Sequence, residues 1–264
     1  CLIAVRMGRQ DVATFDPVTI PDFICKEYTG EFTRVVYPYH LFSRNAQELE
    51  IDFRLITEGR ESAPLNSSVQ VYGKYPVFVE EGAVVRCAVI NTEGGPVYIG
   101  KDAEIMEGVL VRGPLAMCEH SVLTMGAKVY GATTLGPYCK CGGEVNNVVM
   151  IGYSNKAHDG FLGNSVLGEW CNIGAGTNNS NLKNTYVEVK LWDYETKHFC
   201  RTGLQFCGLI MGDHAKLGIS TMINTGTVIG VGTNIFGSDF PRNFVPSFSW
   251  GGASGFTEHK MNQF

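Results

Sequence analysis

No apolar run in this 264-residue chain approaches the roughly 20 residues that span a bilayer. No charged n-region leads into an apolar h-region either, so the sequence shows neither a membrane span nor a secretory signal, and a cytoplasmic protein is the expectation. Basic residues are outnumbered, 21 Lys and Arg against 26 Asp and Glu, and nowhere do they form a run. A net charge of −5 so distributed argues against nucleic acid as the main partner, while leaving room for a local basic pocket that takes a compact acidic ligand. The nine cysteines are odd in number and scattered, which fits reduced buried thiols and not a disulfide framework. Cys139-Lys140-Cys141 lacks a second ligand pair at zinc spacing, so no metal is expected. Nor is there a Gly-rich loop to cradle a nucleoside triphosphate. The opening Cys-Leu-Ile-Ala-Val has no Met, which reads as a fragment or a processed product.

What is present is a period. From Ile99 to Asn146, apolar or sulfur-bearing residues stand at Ile99, Ile105, Val111, Met117, Leu123, Val129, Leu135 and Cys141, every sixth position without a slip. Four places after each comes a residue that is small or β-branched, with Leu115 the poor fit: Ala103, Val109, Leu115, Ser121, Ala127, Thr133, Cys139 and Val145. A helix wants apolar spacing near 3.6 and a lone strand wants 2, so a strict six fits neither. It fits an all-β fold, a parallel β-helix of hexapeptide repeats in which each hexad is one short strand and a corner. No hexad buries its inward face alone; the stack makes the core.

The rest of the chain is read against that rule. Residues 1–60 do not follow it: Leu2 to Val5 and Arg34 to Tyr37 look like strands, and a helix is expected from Asn45 to Ile56, capped by Asn45 with Glu48 and stopped by Gly59. This segment reads as the end of an α/β domain with a linker helix. A turn-rich connector follows over 61–76, then the β-helix over 77–240, interrupted by an arm over 178–208. The arm's Val187, Val189 and Leu191 alternate with polar residues up to a turn near Asp193 to Thr196, so it reads as a β-hairpin. The last stretch, 241–264, reads as a tail capping the open end of the stack.

Chemistry is expected where the six-count fails, over Tyr153 to Asn181. His158 falls where the register has slipped, on a corner or bulge; an imidazole titrating near about 6.5 can serve as a general base. Fifteen residues on, Ile173-Gly-Ala-Gly-Thr177 offers backbone N–H groups with little side-chain cover, suited to an amide or a thioester oxygen. A surface His without a role and a plain glycine corner are the bland alternatives.

Asn172-Ile-Gly-Ala-Gly-Thr177, the His158-x-x-Phe161-Leu-Gly163 step and Lys156-Ala157 before it resemble the acetyltransferase module of the bacterial bifunctional N-acetylglucosamine-1-phosphate uridyltransferase / glucosamine-1-phosphate N-acetyltransferase family. The wording EVNN, GYSNK, GEWCN, NNSNLKN, GLQFCGLIMGDH and PRNFVPSFSWGG is similar to the divergent sugar nucleotidyltransferase-like branch found in Bacteroidetes, over nearly the whole chain. The resemblance implies a left-handed parallel β-helix, a homotrimer with sites between subunits, and acetyl-CoA as co-substrate in a groove between adjacent β-helices. It implies His158 as the base that takes a proton from a sugar amine, and Asn181 as the residue orienting that amine. Ala175 and Gly176 would line the thioester, and Gly212, Asp213, Gly230 and Val231 the rest of the CoA groove. Phe161 would meet the sugar.

The chain also departs from that family. Where the relatives hold the sugar phosphate with an Arg-Pro and a Lys-Lys pair, this sequence has Tyr130-Gly131 and Val148-Val149. Two charge-assisted phosphate contacts are worth roughly 1.5–3 kcal/mol each. Tyr130 therefore marks a changed substrate position, and Lys156, Lys183 or Lys140 is a candidate to supply charge instead. Two readings stay open: acyl-CoA-dependent N-acetyl transfer to an amino sugar phosphate or sugar-nucleotide-like acceptor, or a non-catalytic oligomerisation module of a nucleotidyltransferase. A γ-carbonic-anhydrase-type metal site is set aside, because His40, His120, His158, His198, His214 and His259 contain no closely spaced pair.

Overall fold

The computed structural model describes residues 29–30 and 32–259. Two compact units divide at Arg34, the first spanning Cys1–Arg34 and the second Val35–Phe264. The expected strand at Leu2 to Val5 lies outside the described residues. The second expected strand, Arg34 to Tyr37, is absent; that stretch runs without regular structure into a helix.

The helix, α1, spans Tyr39–Thr57 and starts at Pro38, whose φ of −55° already suits a first turn. It therefore begins six residues before Asn45, which is no cap. Asn45 is buried in mid-helix, its Nδ2 donating to the Ala132 carbonyl at 2.9 Å and its Oδ1 accepting from Thr134 Oγ1 at 3.0 Å. Tyr39 and Phe42 pack with Val149 and Val166 of the β-helix. So α1 is part of the β-helical unit and not a linker belonging to the segment before it. At its far end Gly59, at φ 70°, does stop the helix as expected.

From Gln70 on, the chain coils into the expected all-β parallel β-helix. Strands Gln70–Tyr72, Val89–Asn91, Leu110–Arg112 and Lys128–Tyr130 stack in parallel as one face. Val77–Val79, Val97–Ile99, Leu115–Met117 and Thr133–Leu135 form the second. The third is a ten-stranded sheet, nine parallel strands from Val84–Val85 through Lys140–Cys141 and Asn172–Ile173 to Ser249–Gly252, with Gly255–Glu258 at its end. Two nine-residue strands, Glu144–Gly152 and Phe161–Glu169, bend from the first face to the second and join both into one sheet. The solenoid thus starts inside the expected connector, since Gln70–Tyr72 already pairs with Val89–Asn91.

The inward positions behave as the repeat predicts. All eight anchors from Ile99 to Cys141 are buried, and so are the eight residues four places on, Leu115 included. Cys139 and Cys171 sit there as well, buried among aliphatic neighbours in one continuous core.

The arm is a hairpin, Lys190–Asp193 antiparallel to His198–Arg201. Its base differs from expectation: Asn178–Asn179 is still a strand of the solenoid, paired with Met222–Ile223. Val189 and Leu191 bury against Val166 and Val228, and Trp192 stacks on Phe244 at 4.2 Å, so arm and α1 together cover the second face. The expected tail is mostly further coil. Phe244–Val245 and Ser249–Gly252 continue their sheets, and only Gly255–Glu258 turns back, pairing antiparallel with Ser249–Gly252 along the sheet edge.

Candidate active site

His158 lies at the corner between the third and first faces, after strand Asn155–Lys156 and before Phe161–Glu169, and it is exposed. The corner is built by its neighbours. Thr124 Oγ1 donates to the Ala157 carbonyl at 2.9 Å, and the Ala157 N–H donates to Asn155 Oδ1 at 3.1 Å. One coil further along, Ala175-Gly176 occupies the same corner, with the Gly176 N–H donating to the Asp159 carbonyl at 2.9 Å. The structure therefore stacks His158 beside the bared backbone of Ala175 and Gly176. Gly176 holds φ 71°, and a Cβ on Gly174 would meet the backbone of Gly218 at 2.6 Å, so glycine is required for both the turn and the close approach. Beyond them the corner continues through Ile219, 75% exposed, and Phe236, an apolar strip leading away from His158.

Phe161 and Asn181 meet over Gly163, where an added Cβ would strike the Phe161 ring at 2.5 Å and the Asn181 Nδ2 at 2.7 Å. Asn181 Nδ2 donates to Asn164 Oδ1 at 2.7 Å. Asn164 in turn donates to Asn147, whose amide is oriented to reach the carbonyls of Ala132 and Phe42 as well. The amide that faces the candidate site is thus the end of a ladder rooted at α1. Between Phe161–Gly163 and Asn178–Asn179 the strand ladder is made by side chains: the N–H groups of Phe161 and Gly163 donate to Asn178 Oδ1 and Asn179 Oδ1, each at 2.8 Å. Asn179, buried, also donates to the Gly163 carbonyl at 3.1 Å. Sequence reasoning gave these two asparagines no role, although the doubled Asn-Asn after the GAGT step was visible.

Tyr130 stands on the same face, two strands back through Asn146 and Gly163, about 10 Å away at the usual spacing of ~4.8 Å per strand. Its hydroxyl donates to Glu144 Oε1 at 2.5 Å, and this bond, ahead of burial, pushes the phenol up from its ordinary value. Lys156 does not reach the site surface. It is 1% exposed, with Nζ donating to the carbonyls of Gly142 at 2.8 Å and His158 at 2.9 Å, which corrects its placement as a substrate contact: it points into the prism. Lys183 turns towards the arm, its Nζ 3.4 Å from the Glu188 carbonyl. Gly212, Asp213, Gly230 and Val231 sit at the corner between second and third faces, where Asp213 Oδ1 accepts from the Glu169 N–H at 2.8 Å. Within one chain they do not join His158. Among the described residues no group of three or more His, Cys, Asp or Glu could hold a metal, and no helix is long and apolar enough to cross a membrane.

A comparison with curated proteins finds a bifunctional sugar-1-phosphate nucleotidylyltransferase/acetyltransferase of Sulfurisphaera tokodaii, 30% identical over 144 residues, which are 54% of this chain and 35% of that protein. The bifunctional protein GlmU of Methanocaldococcus jannaschii is 29% identical over 155 residues, 58% of this chain and 35% of its own length. GlmU of Synechococcus elongatus is 25% identical over 164 residues, 59% and 32%. All three relatives are named as bifunctional proteins. They are distant members of the group that the sequence resembles, and the chain spans about a third of their length. No family model matches. Among solved structures, the polysialic-acid-specific acetyltransferase NeuO aligns over 74% of this chain and 88% of its own at 14% identity and a TM-score of 0.35. The N-acyltransferase AntD of Bacillus cereus aligns over 71% and 82% at 12% identity and 0.26.

Proposed function

We propose that this chain transfers an acetyl group from acetyl-CoA to the amine of an amino sugar phosphate or sugar-nucleotide-like acceptor, within a longer sugar nucleotidyltransferase/acetyltransferase. The observation that carries the reading is the exposed imidazole of His158 one coil from the uncovered backbone of Ala175-Gly176, beside the Phe161, Gly163 and Asn181 surface. In the reaction the acceptor nitrogen attacks the thioester carbonyl, His158 takes the proton that nitrogen must lose, and the backbone N–H of Ala175 receives the developing oxyanion, those of Gly174, Gly176 and Thr177 being bonded within the coil. The attack has formed the C–N bond; collapse restores the carbonyl and breaks the C–S bond, and the proton goes on to the departing thiolate. The strip through Ile219 and Phe236 suits the thin, largely apolar part of an acyl-CoA arm. Asn181, held by Asn164, presents its amide oxygen towards the amine, and Phe161 packs the sugar.

The second corner, with Gly212, Asp213, Gly230 and Val231, joins the site only if an adjacent subunit supplies it. A homotrimer, active in the cytoplasm, is therefore part of the proposal. His158→Ala should lower acetyl transfer by about 10² or more with assembly intact. The assay is thiol release from acetyl-CoA with a panel of amino-sugar phosphates, and unchanged turnover in that variant would overturn the reading.

One observation favours the scaffold alternative. Lys156 is buried, Lys183 faces the arm, and Tyr130 is tied to Glu144, so none of the three offers a cation to a sugar phosphate. If neither thiol release nor acetyl-CoA binding by calorimetry is seen, the chain is an oligomerisation module of the nucleotidyltransferase.

A further inference from the structure

Along the third face, one inward position per coil is filled in order by Val85, Ile105, Leu123, Cys141, Lys156, Ile173, Leu217 and Ile235. Each is buried, and only Lys156 is charged. Its strand partner one coil below is Cys141. An ammonium group there loses its hydration, and replacing a buried charge by an apolar side chain of similar volume is often neutral or stabilising. A core that needed only packing would therefore take an uncharged side chain, as the neighbouring coils do with Cys141 and Ile173. Such a break with the local rule points to a task other than stability.

The contacts say which task. Lys156 Nζ donates to the Gly142 carbonyl at 2.8 Å and the His158 carbonyl at 2.9 Å. Gly142 and His158 hold the same corner on successive coils, since the Gly142 N–H donates to the Lys156 carbonyl at 2.8 Å and Thr124 bonds both Cys141 and Ala157 carbonyls there. The ammonium thus crosses from the core to the main chain of the residue whose ring faces solvent. The groups facing it are the Cys141 thiol and the Asp159 carboxylate; both favour its charged form, while burial, the larger influence, disfavours it.

We infer that Lys156 is a positioning residue for His158: a buried ammonium that fixes the main chain at the His158 corner from inside the prism, so that the imidazole is presented in one orientation. The inference rests on the acyl-transfer reading for the purpose of the fixed corner, and on geometry alone for the fixing itself. The two parts are tested separately on the full chain.

Hydrogen exchange of residues 157–160, followed by mass spectrometry, is expected to quicken at least tenfold in Lys156→Met, with the coils around Leu123 and Leu217 unchanged. In the acetyl-transfer assay the same variant should lose tenfold or more in kcat while KM for acetyl-CoA stays within twofold. Lys156→Gln, which keeps a neutral donor, should recover part of both. Should Lys156→Met not fold, Lys156→Gln is compared with wild type in its place, with smaller changes of the same sign expected. Corner exchange as slow as wild type overturns the inference even if no transferase activity is ever found. Quickened exchange with kcat unaltered also overturns it, leaving Lys156 a structural tether. Absence of activity in the wild-type chain would instead count against acyl transfer and leave the exchange result standing.

Discussion

At the scale of single residues, the polar side chains inside this molecule do specific jobs that composition hides. Asn45 shows how. Its amide satisfies the Ala132 carbonyl and the Thr134 hydroxyl at once, 87 and 89 positions away in sequence, and so pins α1 to the β-helix. Asn45→Ala would leave both groups buried without that partner, at about 1–3 kcal/mol. Urea unfolding should show that loss, whereas Asp52→Ala, at an exposed position of the same helix, should shift stability by about 0.5 kcal/mol or less. An equal effect of the two substitutions would mean that the amide contributes nothing. The same residue marks a limit of sequence reading. Asn before an apolar helical stretch is the signature of a cap, and the pattern Asn45 to Glu48 satisfied it locally; the competing partners lie in a corner that only the coiled chain brings near. Lys156 was equally illegible, because the register slip after Asn146 removed the count that would have put it inside.

At the scale of elements, the corner between the second and third faces carries a column of rings. His120, Tyr138, Tyr153, Trp170 and His214 stack in sequence, with centroids 4.6, 5.4, 4.8 and 6.3 Å apart and planes within 23° of parallel. All five hold positive φ, from 51° to 58°, a left-handed turn that a bulky side chain adopts only at some cost. Face-to-face packing from coil to coil offsets that strain and ties each corner to the next. Trp170 is half exposed yet sits between Tyr153 and His214, so Trp170→Ala removes two stacked contacts of about 0.5–1.5 kcal/mol each. A fall in the thermal midpoint of several degrees is expected. Trp170→Tyr, which keeps a flat ring, should restore most of it, and a Tyr variant no better than Ala would show that stacking is not the source. The hexad count located these corners but not their contents, since rings spaced 15 to 44 residues apart share no local pattern. The arm was legible for the opposite reason: its alternation of Val187, Val189 and Leu191 is local, and the structure changes only where the hairpin departs from the coil.

At the scale of the whole molecule, one continuous core runs from the first coil to the last, and its inward positions were readable because a period of six leaves neither helix nor lone strand as a solution. What the repeat could not supply is the site, which lies where side-chain amides replace strand hydrogen bonds and where a lysine enters the core. The core also holds an unusual set of acids. Burial pushes the thiols of Cys139 and Cys171 up to about 11 and those of Cys141 and Cys207 to about 12, against an ordinary value of 9.0. Above pH 9 the unfolded chain releases these protons while the folded chain keeps them, so folding stability is complete below that point and is lost as pH rises towards 12. Tyr98, raised to about 12 chiefly by burial, acts in the same direction over the upper part of the window. Lys156, lowered by burial, acts in the opposite one, because there the unfolded state holds the proton longer. Four thiols outweigh one amine, and the thermal midpoint measured under reducing conditions should stay level to about pH 9 and then fall steeply. Cys141→Val, which keeps the volume nearly constant, should flatten that fall, since it removes one of the four buried acids while leaving the coil packed. If the alkaline limb of the Val variant is as steep as that of the wild type, the core thiols are not what ties the stability of this stack to pH.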